Sequence, residues 1–83
     1  MKFTIIAQQG CEYCAKARGL MFDHGYEFNY IHIDNKPEYK ELLKAIGFPT
    51  VPIIFVQKEE GYPSLIGTYE DLDTFINYRG YLK

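Results

Sequence analysis

The chain has 83 residues, of which 47% are hydrophobic and 24% charged, and its formal net charge is −2. This length predicts a single domain, residues 1–83, with a small core. The absence of a basic face argues against nucleic-acid binding, and no apolar run approaches the ~18 residues of a membrane span. Residues 1–8 contain too short an apolar run for a signal peptide, so we expect a cytoplasmic protein.

The first half of the chain predicts a strand, a helix and a second strand. Residues 2–7 are apolar on both faces and rich in β-branched side chains, as in a buried strand. A helix begins near Cys11, and Gly25 predicts a left-handed end for it. Its apolar stripe is formed by Cys14, Ala17, Leu20, Met21 and His24. Residues 27–34 form the second strand, with Ile31 and Ile33 on one face and Phe28 and Tyr30 on the other.

The second half predicts a helix, a β-hairpin and a last helix. Asn35 and Pro37 are a helix-start signal, and Gly47 ends that helix. Residues 53–56 and 64–67 form two strands, joined through a turn at residues 58–62. The last helix is predicted over residues 69–79. The buried faces of these two helices are predicted to be Leu42, Leu43 and Ile46, and Leu72, Phe75 and Ile76.

The order of these elements, βαβαββα, predicts an α/β fold. The helical crossover makes the first two strands parallel, whereas the hairpin makes the last two antiparallel. The expected product is a four-stranded mixed sheet flanked by three helices, with helices on both faces. A C-x-x-C motif at the first strand–helix junction of such a unit is typical of a thioredoxin-like redox protein.

Cys11 and Cys14, the chain's two cysteines, permit three interpretations. A zinc site would need both cysteines and both histidines, but His24 and His32 lack the spacing typical of such sites. A structural disulfide would close a very small loop and so constrain the unfolded chain little. A redox pair is the third interpretation, since two nearby cysteines in the cytoplasm, where thiols stay reduced, are more often catalytic or metal-binding than structural.

The redox interpretation assigns the two sulfurs different roles. Cys11 lies at the helix start, where unpaired N–H groups and the helix dipole favour a thiolate, the nucleophile of disulfide exchange. Cys14 lies one turn further on, so that its sulfur can reach back to Cys11. Because Cys14 falls on the apolar stripe, we expect it to be the more buried. Cys11 should therefore attack, and Cys14 should resolve the mixed disulfide.

Three segments in this order give the chain a resemblance to a known family: Cys11-Glu12-Tyr13-Cys14, Thr50-Val51-Pro52 and Gly67-Thr68-Tyr69-Glu70-Asp71. Together they resemble a dithiol glutaredoxin of the thioredoxin-fold superfamily, over essentially the whole chain. In that family the proline at the position of Pro52 is cis and faces the cysteines. The residue before it, here Val51, pairs its backbone with the cysteinyl part of glutathione.

The resemblance also implies a glutathione site. Tyr13 would lie along the glutathione groove, and the segment from Tyr69 to Asp71 would hold the γ-glutamyl group at a helix N-terminus. A simpler interpretation makes Thr68 an N-cap and Asp71 its capping-box partner. The residues that the resemblance assigns to glutathione are Gln8, Tyr13, Thr50, Val51, Pro52, Tyr69, Glu70 and Asp71.

The chain departs from the family pattern at three positions. Glu12 replaces the common proline, so it competes with the Cys11 thiolate for the same positive field. Gln8 stands where many members have Lys or Arg for the glycine carboxylate of glutathione. Thr68 replaces the second glycine of the usual pair. The first two departures weaken the expectation of tight glutathione binding.

The resemblance implies a glutathione-dependent thiol–disulfide oxidoreductase that reduces protein disulfides and glutathione mixed disulfides. We expect a monomer without a bound cofactor or metal, with glutathione as reducing co-substrate and disulfide-containing proteins, ribonucleotide reductase among them, as partners. One alternative is a thioredoxin-like electron donor reduced by a flavoenzyme reductase; Glu12 and Gln8 favour it, whereas Tyr69 and Asp71 disfavour it. Another is an iron–sulfur carrier that bridges two chains through Cys11 and glutathione.

Overall fold

The structure, a computed structural model, describes residues 1–45, 47, 51–58 and 61–77. Its strands are β1 (Lys2–Ala7), β2 (Glu27–His32), β3 (Ile53–Gln57) and β4 (Ser64–Gly67). Its helices are α1 (Glu12–His24), α2 (Pro37–Ala45) and α3 (Tyr69–Asn77), and a short 3-10 turn spans Ile33–Asn35. Ile46, the end of the predicted last helix at residues 78–79 and the middle of the predicted turn lie outside the described residues.

The strands form one mixed sheet in the order β2-β1-β3-β4. β1 runs parallel to β2 and antiparallel to β3, and β3 pairs antiparallel with β4. This is the predicted thioredoxin-like architecture, and the predicted fold is confirmed. None of the helices in the described part of the chain has the length and apolar character needed to cross a bilayer.

Both faces of β1 are buried because its side chains alternate between two cores. Phe3, Ile5 and Ala7 point toward α1 and α3 and belong to the larger core. Ile6 points the other way and packs with Leu43 of α2 in the smaller core. The sheet is therefore covered on both faces, and β1 lies at its centre with its carboxyl end leading to Cys11.

Some predicted details were wrong. β2 ends at His32, not at residue 34, because Ile33 enters a tight turn closed by a hydrogen bond from the Lys36 N–H to the Ile33 carbonyl. Leu42 is 44% exposed rather than buried, since only Leu43 of α2 is buried in the smaller core. His24 is exposed at the end of α1, and Phe75 is only partly buried at the edge of the larger core.

Candidate active site

The β1–α1 junction places Cys11 at the head of a helix. Gly10 has a φ of 77°, a left-handed conformation that suits glycine, and it turns the chain from β1 toward α1. Cys11 is the N-cap residue of α1, with an extended backbone (φ −92°, ψ 112°). Its Sγ accepts a hydrogen bond from the Cys14 N–H at 3.1 Å. A sulfur in this position can carry negative charge, because a helix N–H already points at it.

Cys14 lies one turn into α1 and forms a disulfide with Cys11. The Cys14 side chain is fully buried in the larger core, whereas Cys11 is half-buried and only touches that core. The predicted difference in exposure is thus confirmed. Cys11 is thus the more accessible of the two sulfurs.

The segment before β3 brings a backbone acceptor to the attacking sulfur. Val51 and Cys11 are 40 positions apart in the sequence, yet the Val51 carbonyl oxygen lies 3.8 Å from the Sγ of Cys11. The peptide bond between Val51 and Pro52 is cis, as the family resemblance implied. Pro52 is buried, so the segment presents mainly its Val51 backbone toward the cysteines.

A groove runs from Val51 toward the start of α3. Its lining residues, which define the tyrosine groove, are Tyr13, Val51, Pro52, Thr68, Tyr69 and Glu70. The rings of Tyr13 and Tyr69 lie 5.8 Å apart between centroids and are tilted to each other. Tyr13 remains 52% exposed, with the Lys16 ammonium 4.8 Å from its ring centroid. The structure therefore brings together Tyr13, Val51, Pro52, Tyr69 and Glu70 of the predicted site.

The start of α3 is capped by its own acid. The Oδ2 atom of Asp71 accepts hydrogen bonds from the Thr68 N–H at 2.9 Å and from the Thr68 hydroxyl at 3.1 Å. The Thr68 carbonyl accepts the Leu72 N–H, which begins the helical pattern. Asp71 is thus confirmed as the capping partner of Thr68, although the Thr68 hydroxyl donates to that carboxylate. Asp71 does not line the tyrosine groove; it lines a neighbouring depression between β4 and α3.

Gln8 lies apart from the tyrosine groove. It lines a separate depression between the start of α1 and the end of β2, the arginine depression. The residues that define the arginine depression are Gln8, Gln9, Gly10, Cys11, Glu12, Ala15, Arg18, Tyr30 and His32. Thr50, the remaining predicted glutathione residue, lies outside the described residues. The glutathione roles of all these residues stay predictions.

Sequence reasoning missed Arg18, Tyr30 and His32 as neighbours of Cys11. The guanidinium of Arg18 lies 5.0 Å from the centroid of the Tyr30 ring, and that ring meets His32 edge-on at 5.0 Å. One signal was available: Arg18 lies two turns after Cys11 on the same helix. The pairing of β2 beside β1, which brings Tyr30 and His32 to this end of the sheet, required the topology.

Within the described ranges, no group of three or more His, Cys, Asp or Glu side chains is placed to hold a metal ion. His24 stacks on Tyr26 at the end of α1, and His32 ends β2. Both histidines are exposed.

Comparison with known proteins agrees with this geometry. The glutaredoxin family model matches residues 1–60. Glutaredoxin 3 of Escherichia coli (strain K12) is 33% identical over 69 residues, which cover 82% of this chain and 77% of that protein. The glutaredoxin-like protein NrdH of the same strain is also 33% identical, over 54 residues that cover 65% of this chain and 67% of the relative.

Solved structures of glutaredoxins and of a glutaredoxin-like protein are similar to this fold. A glutaredoxin from Brucella melitensis superposes with a TM-score of 0.74 at 30% identity, covering 94% of this chain and 80% of that one. NrdH-redoxin from Escherichia coli, described as having a thioredoxin-like activity profile, superposes with a TM-score of 0.64 at 29% identity, covering 75% of this chain and 80% of that one. The family model, these relatives and the Cys11–Cys14 pair at the head of α1 show that this chain belongs to the glutaredoxin family and is a thiol–disulfide oxidoreductase.

Proposed function

We propose that the chain reduces protein disulfides and glutathione mixed disulfides through Cys11 and Cys14, and that glutathione regenerates the dithiol. The observation that supports this most is the Val51 carbonyl, 3.8 Å from the Sγ of Cys11 at the head of the tyrosine groove. A cysteinyl residue that lies extended there can donate its N–H to Val51 while its sulfur faces Cys11. Both glutathione and a polypeptide substrate can use that contact.

The exchange conserves two electrons and two protons. The Cys11 thiolate attacks one substrate sulfur, forming a mixed disulfide, and the departing substrate thiolate takes up a proton. Cys14 loses its proton and attacks the Sγ of Cys11, forming the Cys11–Cys14 disulfide and releasing the second substrate thiol. Two glutathione molecules then reverse these steps, leaving oxidised glutathione and the dithiol. The Cys14 N–H, 3.1 Å from the Cys11 sulfur, stabilises the thiolate whenever it forms.

The tyrosine groove supports glutathione as the reductant. Tyr13 and Tyr69 offer aromatic walls for the tripeptide, and Pro52 backs the position of its sulfur. Glu70 lines the groove at the start of α3, where the γ-glutamyl ammonium is expected. Asp71 would contribute from the depression beside the groove, through its second carboxylate oxygen. Gln8 lies in the arginine depression and would reach only the glycine carboxylate at the end of the tripeptide. Thr50 keeps its role by resemblance alone.

A second candidate has support from the start of α3. The Oδ2 atom of Asp71 already accepts two hydrogen bonds from Thr68, so less of its carboxylate is open to glutathione. The chain is also similar to NrdH, and NrdH-redoxin is described as thioredoxin-like in activity. These observations favour a flavoenzyme reductase as electron source. Ribonucleotide reductase is a disulfide partner that the family resemblance suggests for either candidate.

Two coupled assays on one protein-disulfide substrate distinguish the candidates. One supplies glutathione with its reductase, and the other supplies thioredoxin reductase; both follow NADPH oxidation, with Cys11→Ser as the blank. We expect faster turnover with glutathione than with thioredoxin reductase. We also expect the protein to be a monomer of the reducing cytoplasm. Turnover with thioredoxin reductase alone would reject glutathione in favour of the second candidate. A coloured protein with a bound cluster would instead favour the iron–sulfur alternative.

A further inference from the structure

The arginine depression lies outside the tyrosine groove, beside the attacking cysteine. Cys11 lines it together with Arg18, Tyr30 and His32. It shares no lining residue with the tyrosine groove. A polypeptide bonded to Cys11 is larger than glutathione and must also extend beyond the tyrosine groove, and this depression is a surface that it can reach.

Arg18 is held in place without being neutralised. Its guanidinium lies 5.0 Å from the Tyr30 ring centroid, a cation–π arrangement that restrains the side chain and leaves its charge intact. Among the residues that the structure describes, Arg18 has no carboxylate within ion-pair distance. A planar guanidinium with open N–H donors is well suited to bind a carboxylate through paired hydrogen bonds.

The acids nearest to the depression already have partners. Glu12 also lines it, but its carboxylate lies 3.8 Å from the Lys16 ammonium on the exposed surface of α1. Asp34 accepts the backbone N–H of Gln9 at 2.8 Å. Neither acid forms an ion pair with Arg18, so among the described residues its guanidinium keeps its charge and its N–H donors available. An anionic group that enters the depression can therefore pair with Arg18.

We propose that the arginine depression is a substrate subsite that takes an acidic side chain of the disulfide-bearing polypeptide, with Arg18 as the charge partner. The proposal deepens the proposed reduction of protein disulfides and rests on it. Positions 11 and 18 are separated by about 10 Å along a helix axis, and an extended peptide advances about 3.3 Å per residue. An Asp or Glu about three positions from the attacked cysteine therefore reaches Arg18.

A peptide pair tests this subsite without any second reductant. Each peptide contains one intramolecular disulfide, and the two peptides of a pair differ only in having Glu or Gln three positions from a cysteine. One pair has this residue before the cysteine, and a second pair has it after the cysteine. Pre-reduced protein is mixed with each peptide, and the second-order rate of Cys11–Cys14 oxidation is measured. We expect the Glu peptide to react about two- to fivefold faster, as for a partly exposed charge pair. Salt should reduce the preference.

Three variants show whether Arg18 is responsible. Arg18→Gln should bring the ratio of the Glu-peptide rate to the Gln-peptide rate to about one. Arg18→Lys should keep part of the preference for Glu, since the charge stays but the planar guanidinium that forms paired hydrogen bonds is lost. Lys40→Gln, on the exposed surface of α2, removes the same charge away from the depression and should keep the ratio.

The outcomes separate this proposal from the function on which it rests. A ratio of one in the unmodified protein, or an equal fall in Arg18→Gln and Lys40→Gln, would overturn the subsite while leaving disulfide exchange intact. Failure of every peptide to oxidise the dithiol would overturn both. Glutathione is absent from the experiment, so a wrong assignment of the reductant would not affect the result.

Discussion

The two helices that reach the tyrosine groove are both capped by a side-chain acceptor, but the two acceptors differ in chemistry. Each begins with backbone N–H groups that lack helical partners. In α1 the acceptor is the sulfur of Cys11, which takes the Cys14 N–H. In α3 the acceptor is the carboxylate of Asp71, which takes both the N–H and the hydroxyl of Thr68. One cap is the reactive atom, and the other is an acid that stays out of the exchange.

This difference explains how one end of the molecule can be both reactive and firmly built. The head of α1 stabilises negative charge only when Cys11 is a thiolate, so its favourable electrostatics are available to the reaction. At the head of α3 the Asp71 carboxylate accepts the Thr68 N–H whether or not a reaction takes place, so this cap serves the structure of the groove wall. Breaking each cap separately should affect reactivity at α1 and stability at α3.

The largest expected effect is at the reactive cap. Cys11→Ser should abolish all thiol transfer, because a hydroxyl at this position is not a competent nucleophile. Cys14→Ser should keep the one-thiol reaction on glutathione mixed disulfides and lose most reduction of protein disulfides, which needs a resolving thiol. The measurements are turnover of both substrate types by both variants. Equal losses in the two variants on both substrates would contradict the division of roles.

The next largest effect is at the structural cap. Gly67 has a φ of 125°, and a Cβ added there would contact the Asp71 carboxyl group, with Cγ at 2.9 Å. Gly67→Ala should therefore destabilise the protein by roughly 2–3 kcal/mol through overpacking and backbone strain. Gly19→Ala is the matched control, because it lies within α1 with no atom near the added Cβ. That control should be about 0.5–1 kcal/mol more stable than the unmodified chain, and denaturant unfolding measures both.

Asp71→Ala distinguishes a cap from a ligand. Loss of the cap should cost about 0.5–2 kcal/mol of unfolding free energy. If Asp71 also holds the glutathione ammonium, the KM for glutathione should rise about tenfold for each 1.4 kcal/mol of lost binding. Asp73→Ala is the control, since its side chain pairs with Asn77 further along α3. A lower Tm with unchanged glutathione kinetics would make Asp71 a cap only.

The smallest expected effect concerns Glu12, the first residue of α1. Its carboxylate opposes the Cys11 thiolate in the same field, so Glu12→Pro should raise the thiolate fraction at neutral pH and make the protein a weaker reductant. The ion pair with Lys16 and the exposure of both side chains should keep the change below roughly 1 kcal/mol. Thiolate absorbance against pH and redox equilibration with glutathione measure it. An unchanged titration would show that the helix start sets the thiolate fraction and that Glu12 has no part in it.

Features that depend on a few neighbouring residues were predicted correctly. β1, the start of α1 at Cys11, its left-handed end at Gly25 and the β3–β4 hairpin follow from local rules of capping, periodicity and turn chemistry. The order of those elements then restricted the topology, because a helical crossover leaves few arrangements of the sheet. The roles of Cys11 and Cys14 followed from their places on one helix.

The tertiary structure alone decided which distant groups meet. Sequence periodicity marked Leu42 and His24 as apolar-face residues, but burial depends on what packs against a helix, and no residue that the structure describes buries either of them. The approach of Val51 to Cys11 depends on how β3 joins the sheet, and the contact of Arg18 with Tyr30 depends on how α1 crosses β2. The sequence by itself determined the reactive sulfur and its helix. The surfaces that a substrate meets around that sulfur come from separate elements, so only their packing could place them.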